Sequence, residues 1–177
     1  MFATMQEPEL LTEADFHQAI ARRGDFWYSA CLRITRNPEL AADAVQDALL
    51  NAWRKRQQFR QTALLDTWIH RIAINAALTL VRTRHPERWS ELQDEAPAEH
   101  PEPDELVASQ AINRQLNASL ARLTEMERVC FVLKHLEQWK LQEIAEELQV
   151  TVGTVKQAVF RGVGKLRLSM AGLRSTA

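Results

Sequence analysis

LQEIAEELQVTVGTVKQAVFRGVGKLR, residues Leu141 to Arg167, decides how the chain is read. Ile144, Ala145 and Leu148 share one side of a short helix, and a second amphipathic run begins at Val152, the spacing of a helix-turn-helix. Ala145 stands where a small side chain lets two helices approach, Val150 is placed to plug the corner, and Thr151 can cap the second helix. Val155, Val159, Val163 and Leu166 then form an apolar stripe. Thr154, Lys156, Gln157, Phe160, Arg161 and Lys165 are left outward. These types suit a helix in a major groove: Lys and Arg for phosphates or guanine edges, Gln for adenine, an aromatic face for a thymine methyl. An ordinary helical hairpin with solvated charges shares the periodicity, so the pattern favours DNA without naming a sequence. Gly162 and Gly164 each weaken an interior helix by about 1 kcal/mol relative to Ala.

Working towards the amino terminus, Leu106–Leu123 and Glu125–Leu136 fit two more helices. Before them stands PERWSELQDEAPAEHPEPDE, residues 86–105, with four prolines and almost no apolar periodicity, the composition of a solvated linker. In the first half, Thr12 with Asp15 resembles a capping box, and Arg22-Arg23-Gly24-Asp25 is a candidate interruption before Phe26–Arg36. Asn37-Pro38-Glu39 combines an N-cap side chain, a proline at the first helical position and an acid at the positive helix end. From there Ala41, Val45, Ala48, Leu49, Ala52 and Trp53 read as one buried stripe, opposite Asp43, Gln46, Asp47, Leu50, Asn51 and Arg54. A third stripe, Leu65, Trp68, Ile69, Ile72, Ala76 and Leu80, follows a loop at Phe59–Ala63, and its helix should stop before Pro86. Trp53 and Trp68 are thus expected in the core, not as stacking platforms.

The predicted fold class is all-α: two small helical domains joined by a flexible acidic linker, the second containing the helix-turn-helix. A chain of 177 residues, 46% hydrophobic and 25% charged with only 5 glycines, agrees with a helical globular protein. No run approaches the roughly 18 apolar residues of a membrane span, and MFATMQEPEL lacks a signal peptide's basic and apolar regions, so the cytoplasm is expected. Cys31 and Cys130 lie far apart within amphipathic patterns and read as structural thiols. The net charge of −1 hides a strongly uneven distribution. Residues 87–105 hold 8 acids against 1 base, whereas residues 106–177 hold 10 bases against 6 acids and residues 1–86 hold 11 against 9. Local charge governs attraction to phosphates, so both ends remain compatible with nucleic acid. No acid/base pair, nucleophile constellation, phosphate loop or zinc-like spacing stands out, and neither an enzyme nor a cofactor or metal is expected.

The two halves together resemble the extracytoplasmic-function (group 4) branch of the sigma-70 sigma factors, over about residues 26–86 and 106–168. DAVQDALLNAW, residues 43–53, is similar to that family's acidic-x-x-Gln-acidic helix. FRQTALLDTWIHRIAINAALTLVR, residues 59–82, resembles its Phe-Arg loop followed by Trp-x-x-Arg-Ile-Ala-x-Asn, and residues 123–167 resemble its carboxy-terminal domain almost without gaps. The resemblance implies a sigma factor that directs promoter-specific initiation, with a region 2-like domain at 1–86, a linker at 87–105 and a region 4-like domain at 106–177. It assigns Asp43, Gln46, Asp47 and Leu50 to the β′ clamp helices of core RNA polymerase. Arg60, Thr62 and Asn75 go to capture of a base flipped from the melted minus-10 element, with Arg71, Arg82 and Arg84 on nearby backbone. Lys156, Gln157, Phe160 and Arg161 go to the minus-35 element. The β flap, promoter DNA and an anti-sigma factor are the further implied partners. Departures from the family are Gln149, where a turn glycine is common, Gln157-Ala158 in place of Ser-Arg, and a thinned arginine run at Arg82, Arg84 and Arg88.

Two other readings compete. A stand-alone helix-turn-helix repressor would need a sensing or dimerising domain, and residues 1–86 show neither alternating strands nor a ligand signature. A helical adaptor that binds only proteins fits less well with the basic ends.

Overall fold

The structure is a computed structural model that describes residues 11–59, 63–84, 86 and 110–174. Every regular element among the described residues is helical: α1 (Glu13–Thr35), α2 (Pro38–Arg54), α3 (Leu65–Arg84), α4 (Gln110–Leu120), α5 (Glu125–Phe131), α6 (Leu141–Leu148) and α7 (Val152–Arg174), with a 3-10 turn at Arg56–Gln58. The chain divides into two compact units, Met1–Leu80 and Val81–Ala177, so the partition falls in the last turn of α3. The acidic stretch 87–105 lies outside the described residues.

In the first unit, the expected capping box opens α1: Asp15 N donates to Thr12 Oγ1 at 3.3 Å, and Thr12 N donates to Asp15 Oδ2 at 2.8 Å. Those bonds hold the Asp15 carboxyl below its ordinary pKa. The anticipated break at Arg22–Asp25 does not occur, and α1 runs unbroken through Gly24. One interior glycine costs about 1 kcal/mol. Trp27 and Ile34 on one side of it and Phe16 on the other are buried, and each such side chain returns roughly 1.5 to 3 kcal/mol. The helix ends at Arg36, whose left-handed φ of 54° lets its N–H reach the Leu32 carbonyl at 2.8 Å.

Asn37 caps α2 as the sequence indicated, its Oδ1 accepting from Leu40 N at 3.1 Å. The innermost line of α2 is Ala41, Ala44, Ala48 and Ala52, all fully buried, a small-residue seam along which α1 packs. Val45 and Leu49 are half-buried. Trp53 departs from the expected core stripe. One step past Ala52 turns it about 100° away from the seam, and it remains 37% exposed. Its edge meets Phe16 at 5.2 Å while the Arg56 guanidinium stacks at 4.1 Å from its centroid. α3 ends before Pro86 as expected and buries Ile69, Ala73, Ile74, Ala77 and Leu78.

In the second unit, α4 ends at Leu120, short of the expected Leu123, and residues 106–109 are not described. The chain turns through Leu123 into Thr124, the N-cap of α5, which pairs reciprocally with Glu127. α5 continues as a π turn over Val132–Leu136, so the expected helix Glu125–Leu136 changes hydrogen-bond register midway. α6 spans Leu141–Leu148 and α7 begins at Val152, where the second run was expected, and continues to Arg174. Between α6 and α7, Gln149 takes a left-handed φ of 56° and Val150 N donates to the Ala145 carbonyl at 3.0 Å. Thr151 Oγ1 then accepts from Thr154 N at 3.1 Å, the predicted cap. Ala145 is buried where the two helices meet. The inward face of α7 is Val155, Ala158, Gly162 and Leu166, with Val159 and Val163 half-buried, so the stripe sits slightly around the helix from the valine line read in the sequence.

Both cysteines are free and buried. Cys31 Sγ lies 3.5 Å from the Ala73 carbonyl, and burial pushes the Cys130 thiol up to about 12. They behave as the structural thiols expected.

Candidate functional site

On α2 the spacing 43, 46, 47, 50 places four residues on one face, and Asp43, Gln46 and Asp47 are exposed there beside Leu50, itself 48% exposed. The face is therefore acidic, with one half-exposed leucine among its polar side chains. The rim of that face includes Trp53, 37% exposed and not in the core position its apolar stripe predicts.

An open groove of about 560 Å³ lies between α2 and α3. Asp47, Asn51 and Lys55 form one side; Trp68, Asn75 and Thr79 form the other. Trp68 is therefore half-buried and lines an opening, and its ring packs 5.1 Å from Phe59. Asn75 Oδ1 is buried without a hydrogen-bond partner, a costly state for a carbonyl oxygen. Of the other residues expected at this site, Arg71 is exposed in the same unit; Arg82 and Arg84 fall in the second unit, Arg84 exposed and Arg82 half-buried with its Nη1 donating to the Glu147 carbonyl at 2.7 Å, while Arg60 and Thr62 lie outside the described residues. The grouping of Trp68 with Asn75 had a sequence signal, since positions 68, 72 and 75 follow the i, i+4, i+7 rule of a single face. Thr79 continues the same face at i+11, whereas Lys55 had no such signal, because its proximity depends on how α2 crosses α3.

On α7, Lys156 and Gln157 are exposed, Phe160 is 81% exposed, and Arg161 is half-buried. The second helix of the helix-turn-helix thus presents basic, amide and aromatic groups together, the chemistry of a groove-reading helix. Thr154 is half-buried and shares a 2.9 Å hydrogen bond with Thr151 at the cap, and Lys165 is ion-paired with Glu127, so neither is simply outward as first read. Among the described residues no group of three or more His, Cys, Asp or Glu could hold a metal ion, and no helix is long and apolar enough to cross a membrane.

Comparison with known proteins adds to this geometry. Residues 19–86 match Sigma-70 region 2, and residues 113–166 match Sigma-70, region 4. The chain is 30% identical over 153 residues to the ECF RNA polymerase sigma factor SigE of Mycolicibacterium smegmatis, covering 85% of this chain and 59% of that protein. It is 27% identical to SigW of Bacillus subtilis, covering 82% of this chain and 83% of the relative. In fold it is similar to the sigma factor RpoE from Bartonella quintana, solved with the anti-sigma factor NepR, with a TM-score of 0.55 at 23% identity over 89% of this chain and 97% of that one. CnrH, solved with the cytosolic domain of CnrY, gives a TM-score of 0.52 at 21% identity, covering 91% of this chain and 90% of that one.

Proposed function

The chain belongs to the sigma-70 family of RNA polymerase sigma factors, in its extracytoplasmic-function branch, and from that premise we propose that it carries core RNA polymerase to particular promoters and opens them without catalysis of its own. The observation that carries this reading is Phe160, 81% exposed on the second helix of a helix-turn-helix and flanked by Lys156 and Gln157. A large aromatic left in water gains when a partner surface covers it, and the neighbouring Lys156 and Gln157 are side chains suited to a DNA groove.

In this reading residues 1–86 form the region 2-like domain. Asp43, Gln46, Asp47 and Leu50 dock on the β′ clamp helices, and Arg60, Thr62 and Asn75 hold a base flipped from the minus-10 element, with Arg71, Arg82 and Arg84 on its backbone. The groove beside Asn75 supports that role, because a buried acceptor lacking a partner is suited to a base's pairing edge. Residues 87–105 tether it to a region 4-like domain, residues 106–177, whose Lys156, Gln157, Phe160 and Arg161 read the minus-35 element next to the β flap. Strand opening then needs no nucleotide, since binding of the unstacked strand offsets the lost pairing. The site of action is the cytoplasm, where core polymerase resides, and an anti-sigma factor covering these faces is the expected regulator.

Reconstituted transcription tests the reading. With core enzyme and a genomic promoter library, the chain should direct initiation from a defined subset of promoters while binding them weakly alone. Failure on the whole library would favour a protein-binding adaptor. Within that assay Asp47→Ala should weaken association with core, and Arg161→Ala should lower minus-35-dependent initiation while core binding persists.

A further inference from the structure

We propose that Glu127 is an internal counter-ion that withholds Lys165 from the DNA backbone, holding the non-specific affinity of the second unit one phosphate contact below what its basic residues would otherwise give. The inference rests on the reading of α7 as a DNA-binding helix. Lys165 follows Gln157 and Arg161 at steps of four, so by helical periodicity it continues the row of long polar side chains along α7. Its side chain is 44% exposed, yet Nζ lies 2.9 Å from Glu127 Oε2. The carboxylate itself is almost wholly covered, at 3% exposure.

Glu127 is held by bonds to the helix cap as well as to Lys165. It is the third residue of α5, and its Oε2 also accepts from Thr124 N at 3.0 Å, while its own N–H donates to Thr124 Oγ1 at 3.3 Å. The amino-terminal end of α5 favours a negative charge there. Gly162 brings α7 against this corner: a Cβ at that position would stand 3.5 Å from the Glu127 carbonyl and 3.7 Å from its Cβ. If Lys165 swung out to a phosphate, a carboxylate removed from water would be left without its cation. That loss exceeds what a solvent-screened phosphate contact returns, so the pair persists when DNA binds.

The test is the salt dependence of binding by the full chain to a short random-sequence duplex, since each phosphate neutralised adds about 0.9 to the slope of log K against log salt. Lys165→Met should leave the slope unchanged, because its charge is already spent on Glu127. Glu127→Gln, which keeps the cap acceptor, should steepen the slope by about 0.9 and raise affinity several-fold at roughly 50 mM salt. The double variant should return to wild type. A Lys165→Met slope flatter by about 0.9 overturns the proposal, since the lysine would then contact DNA despite Glu127. Lys156→Ala and Arg161→Ala serve as controls: if neither changes binding, the DNA reading of α7 falls and this inference with it. If they weaken binding while Glu127→Gln leaves the slope alone, only the counter-ion role falls. Should the Glu127 variant fail to fold, the wild-type protein still decides through the ¹⁵Nζ signal of Lys165, which is expected to stay in place as duplex is added and which would move if a phosphate replaced Glu127.

Discussion

Arg22 grips Asp66 across the first unit with both ends of a fork, Nε to Oδ2 at 3.0 Å and Nη2 to Oδ1 at 2.8 Å, tying the middle of α1 to the first turn of α3. Arg23 Nε stands farther off, 3.9 Å from Oδ2. The hydrogen bonds from Arg22 hold the Asp66 carboxyl below its ordinary value of 3.8, against the opposing effect of its partial burial. A carboxyl depressed in the folded state contributes stability that is present above its unfolded pKa and lost as pH falls through the folded one. Asp66→Asn should therefore melt below wild type at neutral pH, and the gap should close as pH drops below 3.8. Melting temperatures taken along an acid titration check this; a gap unchanged down to about pH 2 would place the effect elsewhere.

Asn75 sets stability against function. Its Oδ1 is buried without a partner, so Asn75→Ala removes an unsatisfied acceptor and should leave the first unit within about 1 kcal/mol of wild type, or above it. Promoter opening should nevertheless fall roughly tenfold, the equivalent of a hydrogen bond to the captured base. Permanganate footprinting of the melted strand, alongside a thermal melt, separates the two effects; full opening by a stable variant would remove Asn75 from the site.

Phe160 is so exposed that the fold gains little from it. Phe160→Ala should change unfolding free energy by no more than about 0.5 kcal/mol while reducing initiation from minus-35-dependent promoters. Denaturant melts and run-off transcription measure the two quantities on one preparation, and unaltered transcription would exclude Phe160 from the interface.

The turn after α6 and the interior of α7 carry glycine-type residues in reversed places. Gln149 holds a left-handed conformation that L side chains resist, and Gly164 sits inside α7 with nothing within 4 Å of a Cβ. Gln149→Gly and Gly164→Ala should each stabilise the second unit by about 0.5 to 1 kcal/mol. Chemical denaturation of the two variants and their combination is the measurement, and a loss at either position would mean that its side-chain environment outweighs backbone preference.

Helix ends were the most legible part of the fold, because capping is local. Thr12 with Asp15, Asn37 before Pro38, and Thr151 before Thr154 each close a hydrogen bond within three residues. The stop before Pro86 follows equally from one residue's ring. The break expected at Arg22–Asp25 did not form, because the cost of Gly24 is local while the burial that outweighs it, at Phe16 and Trp27, is tertiary. The exposed faces of α2 and α7 were legible for the same reason as the caps: periodicity alone puts Asp43, Gln46, Asp47 and Leu50 together, and likewise Lys156, Gln157, Phe160 and Arg161.

By itself, then, the sequence determined where most helices lie, the caps at Thr12, Asn37 and Thr151, the helix-turn-helix and the outward placing of Asp43, Gln46, Asp47, Lys156, Gln157 and Phe160, since these depend on bonds and periodicities spanning only a few residues. Tertiary structure alone decided that Lys55 faces Trp68 and Asn75 across a groove, and that Lys165 is held by Glu127, 38 residues away in the chain. Those outcomes depend on how one helix crosses another, and a crossing is fixed by packing between residues whose separation along the chain carries no periodic signal.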